Sequence, residues 1–379
     1  MNGRPAILMV TTIPETLRAF LVPYACYFRG LGWRVDAMAR DITKFDELAI
    51  HFDKLIDAGL SRNPLDGGNM KAARMIREAV SEGGYDIVHV HTPVAAFVTR
   101  FALRKHGKTK KPAVVYTAHG FHFYKGGGRT RNFIFRNIER MAGRWTDRMI
   151  VINHEDYDAA KKYRIVPEDS LVYMPGIGLD FSRYDPDDAT REEARRVRDE
   201  LGLKRDDVLF SMIAEFNPGK RHADVINALT RLPGSMNIHI AFAGEGPTRE
   251  KIHELAKTLG VSKRAHFLGY VKHVPPLMLA SRAMLIPSER EGLSRTAMES
   301  ACMGVPIIGS DARGVRDIVQ HSRGLLYPTG DIFALRDAMQ QMYEEPHPPV
   351  TPDPEWRIEH LISLHQKMYE ELPQTAAPK

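Results

Sequence analysis

The sequence is poor in cysteine and in long apolar runs. Cys26 and Cys302 are the two cysteines among 379 residues. Two cysteines in a chain of this length do not indicate a disulfide framework, and we expect two buried free thiols in a reducing compartment. No apolar run reaches the roughly 18 residues that a membrane-spanning helix needs. The first residues lead directly into the strand-like stretch Ala6–Val10, without the features of a secretion signal. We therefore expect a cytoplasmic protein that does not cross the membrane.

Sequence signatures of an ATPase or of a metal-dependent enzyme are also lacking. There is no Gly-x-x-x-x-Gly-Lys-Ser/Thr loop, which argues against an ATPase. The segment Asp185–Asp188 matches the Asp-x-Asp pattern that holds a divalent ion in another class of transferases, but it lies among prolines with no strand before it. Turn and helix-capping chemistry explains such aspartates better. We therefore expect neither a metal ion nor another cofactor.

Basic charge is concentrated in the first half of the chain. The net charge is +6, the stretch Arg100–Lys111 holds six basic residues and no acidic one, and Lys125–Arg148 holds seven basic residues against two acidic ones. These stretches are either solvated helix faces or the binding surface of an anionic partner, such as a membrane, a lipid diphosphate or a nucleic acid. Because no base-reading motif accompanies them, we do not expect nucleic acid as the partner.

Short apolar runs alternate with helical patterns along most of the chain, which predicts doubly wound parallel sheets in an α/β protein. The first series of strands extends from Ala6–Thr11 to Ser170–Met174, and the second from Val208–Ala214 to Gly324–Tyr327. Between them, Pro175–Asp188 is rich in Pro, Gly and Asp and is interpreted as a hinge. We predict one domain over residues 1–182, a second over 183–350, and a C-terminal helix within 351–379 that returns to the first domain. Two such sheets place a ligand between them, at the carboxyl ends of the strands.

The most informative segment extends from Pro287 to Ile308. A strand ends at Pro287, a turn follows at Gly292, and a helix is predicted to start after Ser294, a residue type that favours the N-cap position. Free backbone N–H groups at such a helix start favour an anion such as a diphosphate. A glycine in the turn lets the ligand approach the backbone closely. The segment therefore has the features of a phosphate-binding turn between two strands.

Two glutamates of this segment add groups that bind hydroxyls. Glu291 lies directly before the turn and could bind sugar hydroxyls, whereas Glu299 lies in the helix and could reach ribose hydroxyls, since carboxylates accept paired hydrogen bonds from diols. Two glutamates at this spacing are common by chance, so the surrounding strand, turn and helix make the pair informative.

This segment resembles the donor-binding signature, Glu-x7-Glu, of retaining family 4 glycosyltransferases. Further stretches resemble loops of the same family in order and spacing, so that the resemblance covers nearly the whole chain. They are Pro175–Asp180, Ala214–Lys220, Ala243–Pro247 and Phe267–Val271. In the first half, Asp86–Pro93 and Thr117–Tyr124 resemble the subgroup that builds exopolysaccharide and capsule repeats. The resemblance implies a GT-B fold, with two Rossmann-like domains and the active site in the cleft between them.

The resemblance also implies a reaction. A hexose or an N-acetylhexosamine would pass from a UDP-sugar, with retention and without a metal, to a glycan acceptor that we expect to be lipid-linked, in bacterial polysaccharide or glycolipid biosynthesis. Lys220 would neutralise the departing diphosphate, where charge grows in the transition state, and His119 would face the transferred sugar. The implied catalytic residues are His119, Lys220 and Glu291. The implied donor-binding residues are Arg221, Gly244, Gly269, Val271, Gly292, Leu293, Ser294 and Glu299.

One position departs from the family pattern. Many relatives have arginine beside the diphosphate where this chain has Glu215, so we expect Glu215 to point elsewhere and Arg221 to supply the charge. His89, His91 and His122 are expected to be structural. Two other functions remain open. One is a UDP-sugar 2-epimerase of the same architecture, and the other is a non-catalytic nucleotide-sugar-binding protein, which the carboxylate at position 215 would favour.

The basic stretches also suggest where the first domain acts. We hypothesise that it docks on the inner face of an anionic membrane, with Arg100–Lys111 and the arginines of the next helix as cationic groups. Phe121, Phe123, Tyr124 and Phe133–Phe135 accompany them, and exposed aromatic residues beside basic side chains suit an anionic interface. The alternative is that these aromatic residues pack in the core.

Overall fold

The computed structural model describes residues 4–105, 111–322, 324–345 and 348–372. They form two compact units: one contains the chain up to Gly178 together with the chain from Ile358 onward, and the other contains Leu179–Arg357. The predicted boundaries were 182/183 and 350/351. The difference arises because the two ends of the second unit pair with each other. The N–H of Leu179 donates to the carbonyl of Trp356 at 2.8 Å, and both side chains lie in the core of this unit.

The first unit is built on a parallel sheet. Its strands are β1 (Ala6–Val10), β2 (Arg34–Ala39), β3 (Lys54–Asp57), β4 (Ile87–His91), β5 (Ala113–Ala118), β6 (Arg148–Val151) and β7 (Leu171–Tyr173). Their order is β3-β2-β1-β4-β5-β6-β7, and the neighbouring strands are parallel. β1 and β5 are buried along their whole length. A parallel sheet covered by helices on both faces buries its central strands in this way, which explains their apolar runs.

Helices connect these strands. They are α1 (Pro14–Thr16), α2 (Val22–Gly30), α3 (Asp46–Ala49), α4 (Gly68–Gly83), α5 (Pro93–Leu103), α6 (Arg129–Gly143) and α7 (His154–Lys162). A π-helical turn, Leu17–Leu21, joins α1 to α2. The helix α4 is followed by Gly84, whose φ of 58° lies in the left-handed region, a conformation that commonly ends helices.

The second unit repeats this architecture. Its strands are β8 (Val208–Ile213), β9 (Ile238–Ala243), β10 (Ala265–Gly269), β11 (Ala283–Ile286), β12 (Ile307–Ser310) and β13 (Leu325–Tyr327). Their order is β10-β9-β8-β11-β12-β13, again parallel. The helices are α8 (Asp188–Glu200), α9 (His222–Leu229), α10 (Arg249–Thr258), α11 (Pro275–Ala280), α12 (Arg295–Cys302), α13 (Arg316–His321) and α14 (Ile332–Glu344). The predicted doubly wound α/β architecture is therefore present in both units.

The last helix, α15 (Ile358–Glu371), packs on the first unit. Leu361, Met368 and Tyr369 of this helix share an apolar core with residues of β1 and α2. The hydroxyl of Tyr27 donates to the side chain of Gln366 at 2.6 Å. The helix predicted within residues 351–379 thus begins at Ile358, where the chain re-enters the first unit.

In each sheet the strand order reverses at one position, between β1 and β4 in the first unit and between β8 and β11 in the second. In open α/β sheets, the loops that follow two such strands diverge and leave a crevice at the carboxyl ends, where ligands bind. Lys220 and Glu291 follow β8 and β11. They are therefore placed at the crevice of the second unit.

The predicted basic surface of the first unit requires correction. Arg100 is 0% exposed. It pairs with Glu139 at 2.9 Å and lies over the ring of Tyr116, because a buried charge needs a partner. Phe121 and Phe123 are buried, with ring centroids 4.8 Å apart, so the prediction that they are exposed is wrong. Lys108 and Lys110 lie outside the described residues.

The two cysteines differ in their surroundings. Both are free thiols, but Cys26 is exposed, contrary to the expectation of two buried thiols, and its Sγ lies 3.4 Å from Nδ1 of His51. Cys302 is partly buried, and burial raises the pKa of its thiol to about 12. Among the helices of the described ranges, none combines the length and the apolarity that a bilayer span needs.

Candidate active site

Lys220 and Glu291 meet at the crevice of the second unit. Lys220 ends a 3-10 turn (Pro218–Lys220) after β8, and its N–H donates to the side chain of Asn217 at 3.2 Å. The ammonium of Lys220 donates to Oε1 of Glu291. The same oxygen accepts a hydrogen bond from the hydroxyl of Ser288 at 2.6 Å. A cation and a carboxylate, both partly exposed, are therefore held side by side between β8 and β11.

Backbone contacts fix the loop that carries Glu291. The N–H of Glu289 donates to the carbonyl of Gly219 at 2.8 Å, which joins this loop to the turn of Lys220. The N–H of Glu291 donates to the carbonyl of Arg313 at 3.1 Å, and Nε of the buried Arg313 donates to the carbonyl of Glu291 at 3.1 Å. Arg313 lies 22 residues after Glu291, and no local motif marked it in the sequence.

The helix α12 begins at Arg295, directly after Ser294, as predicted. Within the described ranges the Ser294 side chain makes no capping hydrogen bond, and the backbone N–H of Ser294 donates to the carbonyl of Gly314 at 3.3 Å. The expectation that this N–H is free is therefore wrong. A Cβ on Gly314 would lie 2.3 Å from the carbonyl oxygen of Gly292, so the two loops touch at their glycines. The first N–H groups of a helix have no intrahelical partner and favour an anion, and anion binding at the start of α12 stays a prediction.

Glu299 lies on α12 and is almost fully buried. Its Oε1 accepts hydrogen bonds from the hydroxyl of Tyr184 at 2.6 Å and from Nε of Arg295 at 2.8 Å. Burial, reinforced by the adjacent carboxylate, raises the pKa of Tyr184, so its phenol remains a donor. Tyr184 lies 115 residues before Glu299, and sequence analysis did not identify it. Within the described part of the chain, Oε2 of Glu299 accepts no hydrogen bond.

Gly244 and Val271 line a cavity of about 350 Å³ beside β8, β9 and β10. Gly269 lies next to it and accepts a hydrogen bond on its carbonyl from the N–H of Gly244 at 2.7 Å. A Cβ on Gly244 would lie 2.0 Å from the carbonyl oxygen of Ala214, so only glycine allows the loops to approach this closely. Tyr270, also in the lining, is exposed and offers a flat ring against which a nucleobase can stack.

Glu215 and Arg221 both have partners in the second unit. The side chain of Glu215 accepts a hydrogen bond from Nδ2 of Asn217 at 3.0 Å. Nε of Arg221 donates to Oδ2 of Asp224 at 2.6 Å. The backbone of Arg221 has a φ of 58°, which directs the chain from the 3-10 turn into α9. The charge of Arg221 is thus partly neutralised by Asp224, which weakens the expectation that Arg221 replaces the missing arginine.

His119 follows β5 in the first unit. Its Nε2 lies 3.0 Å from Nδ1 of His91, the last residue of β4, and its ring lies along that of Phe20, with centroids 6.3 Å apart. Burial, reinforced by His365, lowers the pKa of His119 to about 4. The structure therefore places a neutral, half-buried imidazole at the carboxyl ends of β4 and β5.

The candidate metal ligands of the hinge segment have other roles in the structure. The described ranges contain no group of three or more His, Cys, Asp or Glu side chains that could hold a metal ion. Asp187 is the N-cap of α8, where its carboxylate accepts a hydrogen bond from the N–H of Thr190 at 2.8 Å. Metal-independent catalysis stays a prediction.

Two family models match the two halves of the chain. The family described as Glycosyl transferases group 1 matches residues 193–354, which include Lys220 and Glu291. The family described as Glycosyltransferase Family 4 matches residues 24–181, which include His119. The loops that carry the predicted site residues therefore lie within the matched regions.

Individual proteins are similar over most of their length. "Putative glycosyltransferase EpsD" of Bacillus subtilis (strain 168) is 32% identical over 345 residues, which are 90% of this chain and 88% of that protein. The UDP-Gal:alpha-D-GlcNAc-diphosphoundecaprenol alpha-1,3-galactosyltransferase of Escherichia coli is 25% identical over 285 residues, 73% of this chain and 71% of the relative. The crystal structure of Anabaena HepE in complex with UDP has a TM-score of 0.76 and 18% identity, and the match covers 97% of this chain and 100% of HepE. This last likeness shows a shared fold.

Proposed function

The chain belongs to the group 1 and family 4 glycosyltransferases and has the GT-B fold, and we propose that it transfers a hexose or an N-acetylhexosamine from a UDP-sugar to a lipid-linked glycan. The observation that carries this proposal is the contact between Lys220 and Glu291 at the crevice of the second unit. The Escherichia coli relative supports the choice of substrates, because its name specifies a UDP-galactose donor and a diphosphoundecaprenol-linked acceptor. Extension of such an acceptor would be a step of bacterial polysaccharide or glycolipid biosynthesis.

The proposed donor pose follows from the chemistry of the crevice. The diphosphate would lie at the start of α12 and beside Lys220, where N–H groups and an ammonium favour negative charge. The uracil would enter the cavity beside Tyr270, and the ribose hydroxyls would reach Glu299. Glu291 would accept hydrogen bonds from hydroxyls of the transferred sugar.

The proposed reaction proceeds with retention. The acceptor hydroxyl forms a new bond to the anomeric carbon on the face from which UDP departs, while the bond from that carbon to the β-phosphate oxygen breaks. The departing phosphate takes the hydroxyl proton, so no side chain has to act as the base. Lys220 stabilises the charge that grows on the diphosphate, and His119 would hydrogen-bond to the transferred sugar.

Two measurements test this function. A thermal-shift panel of UDP-, GDP- and ADP-sugars should show stabilisation by UDP-sugars, because a ligand that binds the folded state raises its apparent stability. Product analysis after incubation with the donor, with and without a lipid-linked acceptor, then identifies the reaction. A changed sugar without acceptor would indicate the epimerase. Binding without any turnover or hydrolysis would indicate a non-catalytic binding protein and contradict the proposal.

The exposed surface of α6 supports a lipid-linked acceptor at an anionic membrane. Phe133, Ile134 and Met141 are 59%, 50% and 42% exposed. Exposed arginines accompany them, namely Arg129, Arg131, Arg140 and Arg144. The acidic residue of this helix, Glu139, is buried against Arg100. Exposed apolar and basic side chains on one helix suit the interface of an anionic bilayer, and four arginines at roughly 1 kcal/mol each would suffice for reversible docking.

Vesicle co-sedimentation tests this docking surface. The full chain should bind vesicles with phosphatidylglycerol, should not bind pure phosphatidylcholine, and should bind less as salt rises. Charge reversal on α6 should abolish binding and leave UDP binding intact; the substitutions are Arg129→Glu, Arg140→Glu and Arg144→Glu. A matched reversal on α8 should not affect vesicle binding; its substitutions are Arg191→Glu, Arg195→Glu and Arg196→Glu. Equal sedimentation with both lipids, or none with either, would refute docking by charge.

A further inference from the structure

His91 and His119 share one hydrogen bond in the first unit. His91 is the last residue of β4, and β4 pairs in parallel with β5, which His119 follows. Nδ1 of His91 lies 3.0 Å from Nε2 of His119. His91 is 2% exposed, and its other nitrogen, Nε2, is buried and has no hydrogen-bond partner among the residues that the structure describes. Nδ1 of His119 makes no hydrogen bond with any residue that the structure describes.

Only one hydrogen can occupy the bond between the two rings. Burial lowers the pKa of His91 well below its ordinary value, and it lowers the pKa of His119 to about 4, so each ring carries a single proton near pH 7. A neutral imidazole has one donor and one acceptor nitrogen. The direction of this one bond therefore fixes the tautomer of both rings.

The two directions differ in what they leave unpaired. If His119 donated, His91 would carry its proton on Nε2, which would be a buried N–H with no acceptor in the described part of the chain. Buried N–H groups without an acceptor are rarer than buried acceptors without a donor, and leaving a buried polar group unpaired costs roughly 1–3 kcal/mol. If His91 donates, its Nε2 carries no proton and is an acceptor. Neither ring then has a buried N–H without a partner.

We propose that His91 is a positioning residue that donates its Nδ1–H to Nε2 of His119 and thereby holds the proton of His119 on Nδ1. The free edge of His119 is then a hydrogen-bond donor and not a base. Such a donor can bind an oxygen of the transferred sugar. This inference rests on the proposed function, in which His119 faces that sugar and the departing phosphate takes the acceptor proton. His91, expected to be structural, would then act on the reaction through His119.

The tautomers can be measured without substrate. Two-bond 1H–15N spectra of the full chain labelled with 15N-histidine distinguish the protonated from the bare nitrogen of each ring. The signals of His91 and His119 are assigned from the spectra of His91→Leu and His119→Gln. We expect both rings to carry the proton on Nδ1. A proton on Nε2 of His119 in the unsubstituted protein would overturn the proposal, whatever the behaviour of the variants.

Two substitutions of His91 then test its effect on the reaction. Asparagine places an amide near the position of Nδ1, whereas leucine has no donor. His91→Leu should move the proton of His119 to Nε2 and lower kcat about tenfold, the equivalent of one hydrogen bond, with little change in the KM for donor. His91→Asn should keep the Nδ1 proton of His119 and most of kcat.

Substitution of His89 provides the control. His89 is buried on the same strand, but its ring nitrogens contact Tyr369 and Thr117 and not His119. His89→Asn should therefore leave the His119 tautomer unchanged. If His91→Leu kept both the tautomer and kcat, His91 would not be a positioning residue. If the tautomer changed without an effect on kcat, the proposed role of His119 would be wrong, whereas the tautomer assignment would stand.

Discussion

Replacement of Lys220 by alanine should lower turnover far more than it lowers donor affinity. In the structure the ammonium of Lys220 donates to Glu291. A bound diphosphate would exchange that carboxylate for a phosphate oxygen, so the net gain in the ground state is small. As the bond to the sugar breaks, negative charge on the diphosphate increases, and a cation that is already in place stabilises it selectively.

The expected magnitude follows from the exposure of this pair. Both side chains are partly exposed, so an effective dielectric constant near 20 applies, and two unit charges about 4 Å apart interact by about 4 kcal/mol. Most of a unit charge develops on the leaving oxygen. The substitution Lys220→Ala should therefore raise the free energy of the transition state by roughly 3–4 kcal/mol, which lowers kcat by a factor of roughly 10²–10³. The dissociation constant of the donor should change by less than about tenfold.

Steady-state kinetics measure the effect on turnover, and isothermal titration of the UDP-sugar in the absence of acceptor measures the effect on donor affinity. Lys220→Arg keeps the charge and should recover part of the turnover. Lys251→Ala removes an exposed lysine on α10 of the same unit and should leave kcat unchanged. Normal turnover in Lys220→Ala would remove Lys220 from the reacting centre. A loss confined to KM would show that it contributes only to ground-state binding.

Three further results are expected. Glu299→Ala should weaken UDP and the UDP-sugar alike, whereas Glu291→Ala should weaken the UDP-sugar and leave UDP affinity undiminished; equal losses of UDP affinity in titration would contradict these separate roles. Transfer should continue in excess EDTA, and a complete loss that Mg²⁺ or Mn²⁺ restores would favour the Asp185–Asp188 segment as a metal site. Arg100→Ala should lower the free energy of unfolding by roughly 3–5 kcal/mol in urea titrations, because it leaves Glu139 buried without its partner; a loss below 1 kcal/mol would show that the pair is solvated.

Central strands could be predicted from the sequence because parallel strands with both faces covered are continuous apolar runs. The first strand was predicted over Ala6–Thr11 and extends over Ala6–Val10. The edge strand β3 (Lys54–Asp57) was missed. It has two apolar residues between charged ends, and its side chains are half-buried or exposed. An edge strand needs neither a long apolar run nor burial on both faces, so a local pattern did not identify it.

Contacts between residues distant in sequence account for most of the remaining differences. Arg100 lies in a basic stretch that suggests a solvated helix face, but Glu139, on the next helix, provides its buried partner. Tyr184 and Arg313 support the predicted glutamates from positions 115 and 22 residues away. Each pairing depends on which elements are neighbours in the fold. The motifs therefore identified the loops of the site. The partners that orient the side chains of these loops could be identified only from the structure.

The partners of the charged residues explain why the sugar and the diphosphate should be recognised together. Glu215 is hydrogen-bonded to Asn217, and Arg221 is paired with Asp224. The ammonium of Lys220 donates to the carboxylate of Glu291, so a diphosphate has to compete with this carboxylate for the cation. When hydroxyls of the donor sugar donate to Glu291, they satisfy that carboxylate and release Lys220 to the phosphate. UDP alone would take Lys220 and leave Glu291 with Ser288 as its one side-chain donor among the described residues. The proposed coupling makes a UDP-sugar bind more tightly than UDP, and in Glu291→Ala this difference should largely disappear.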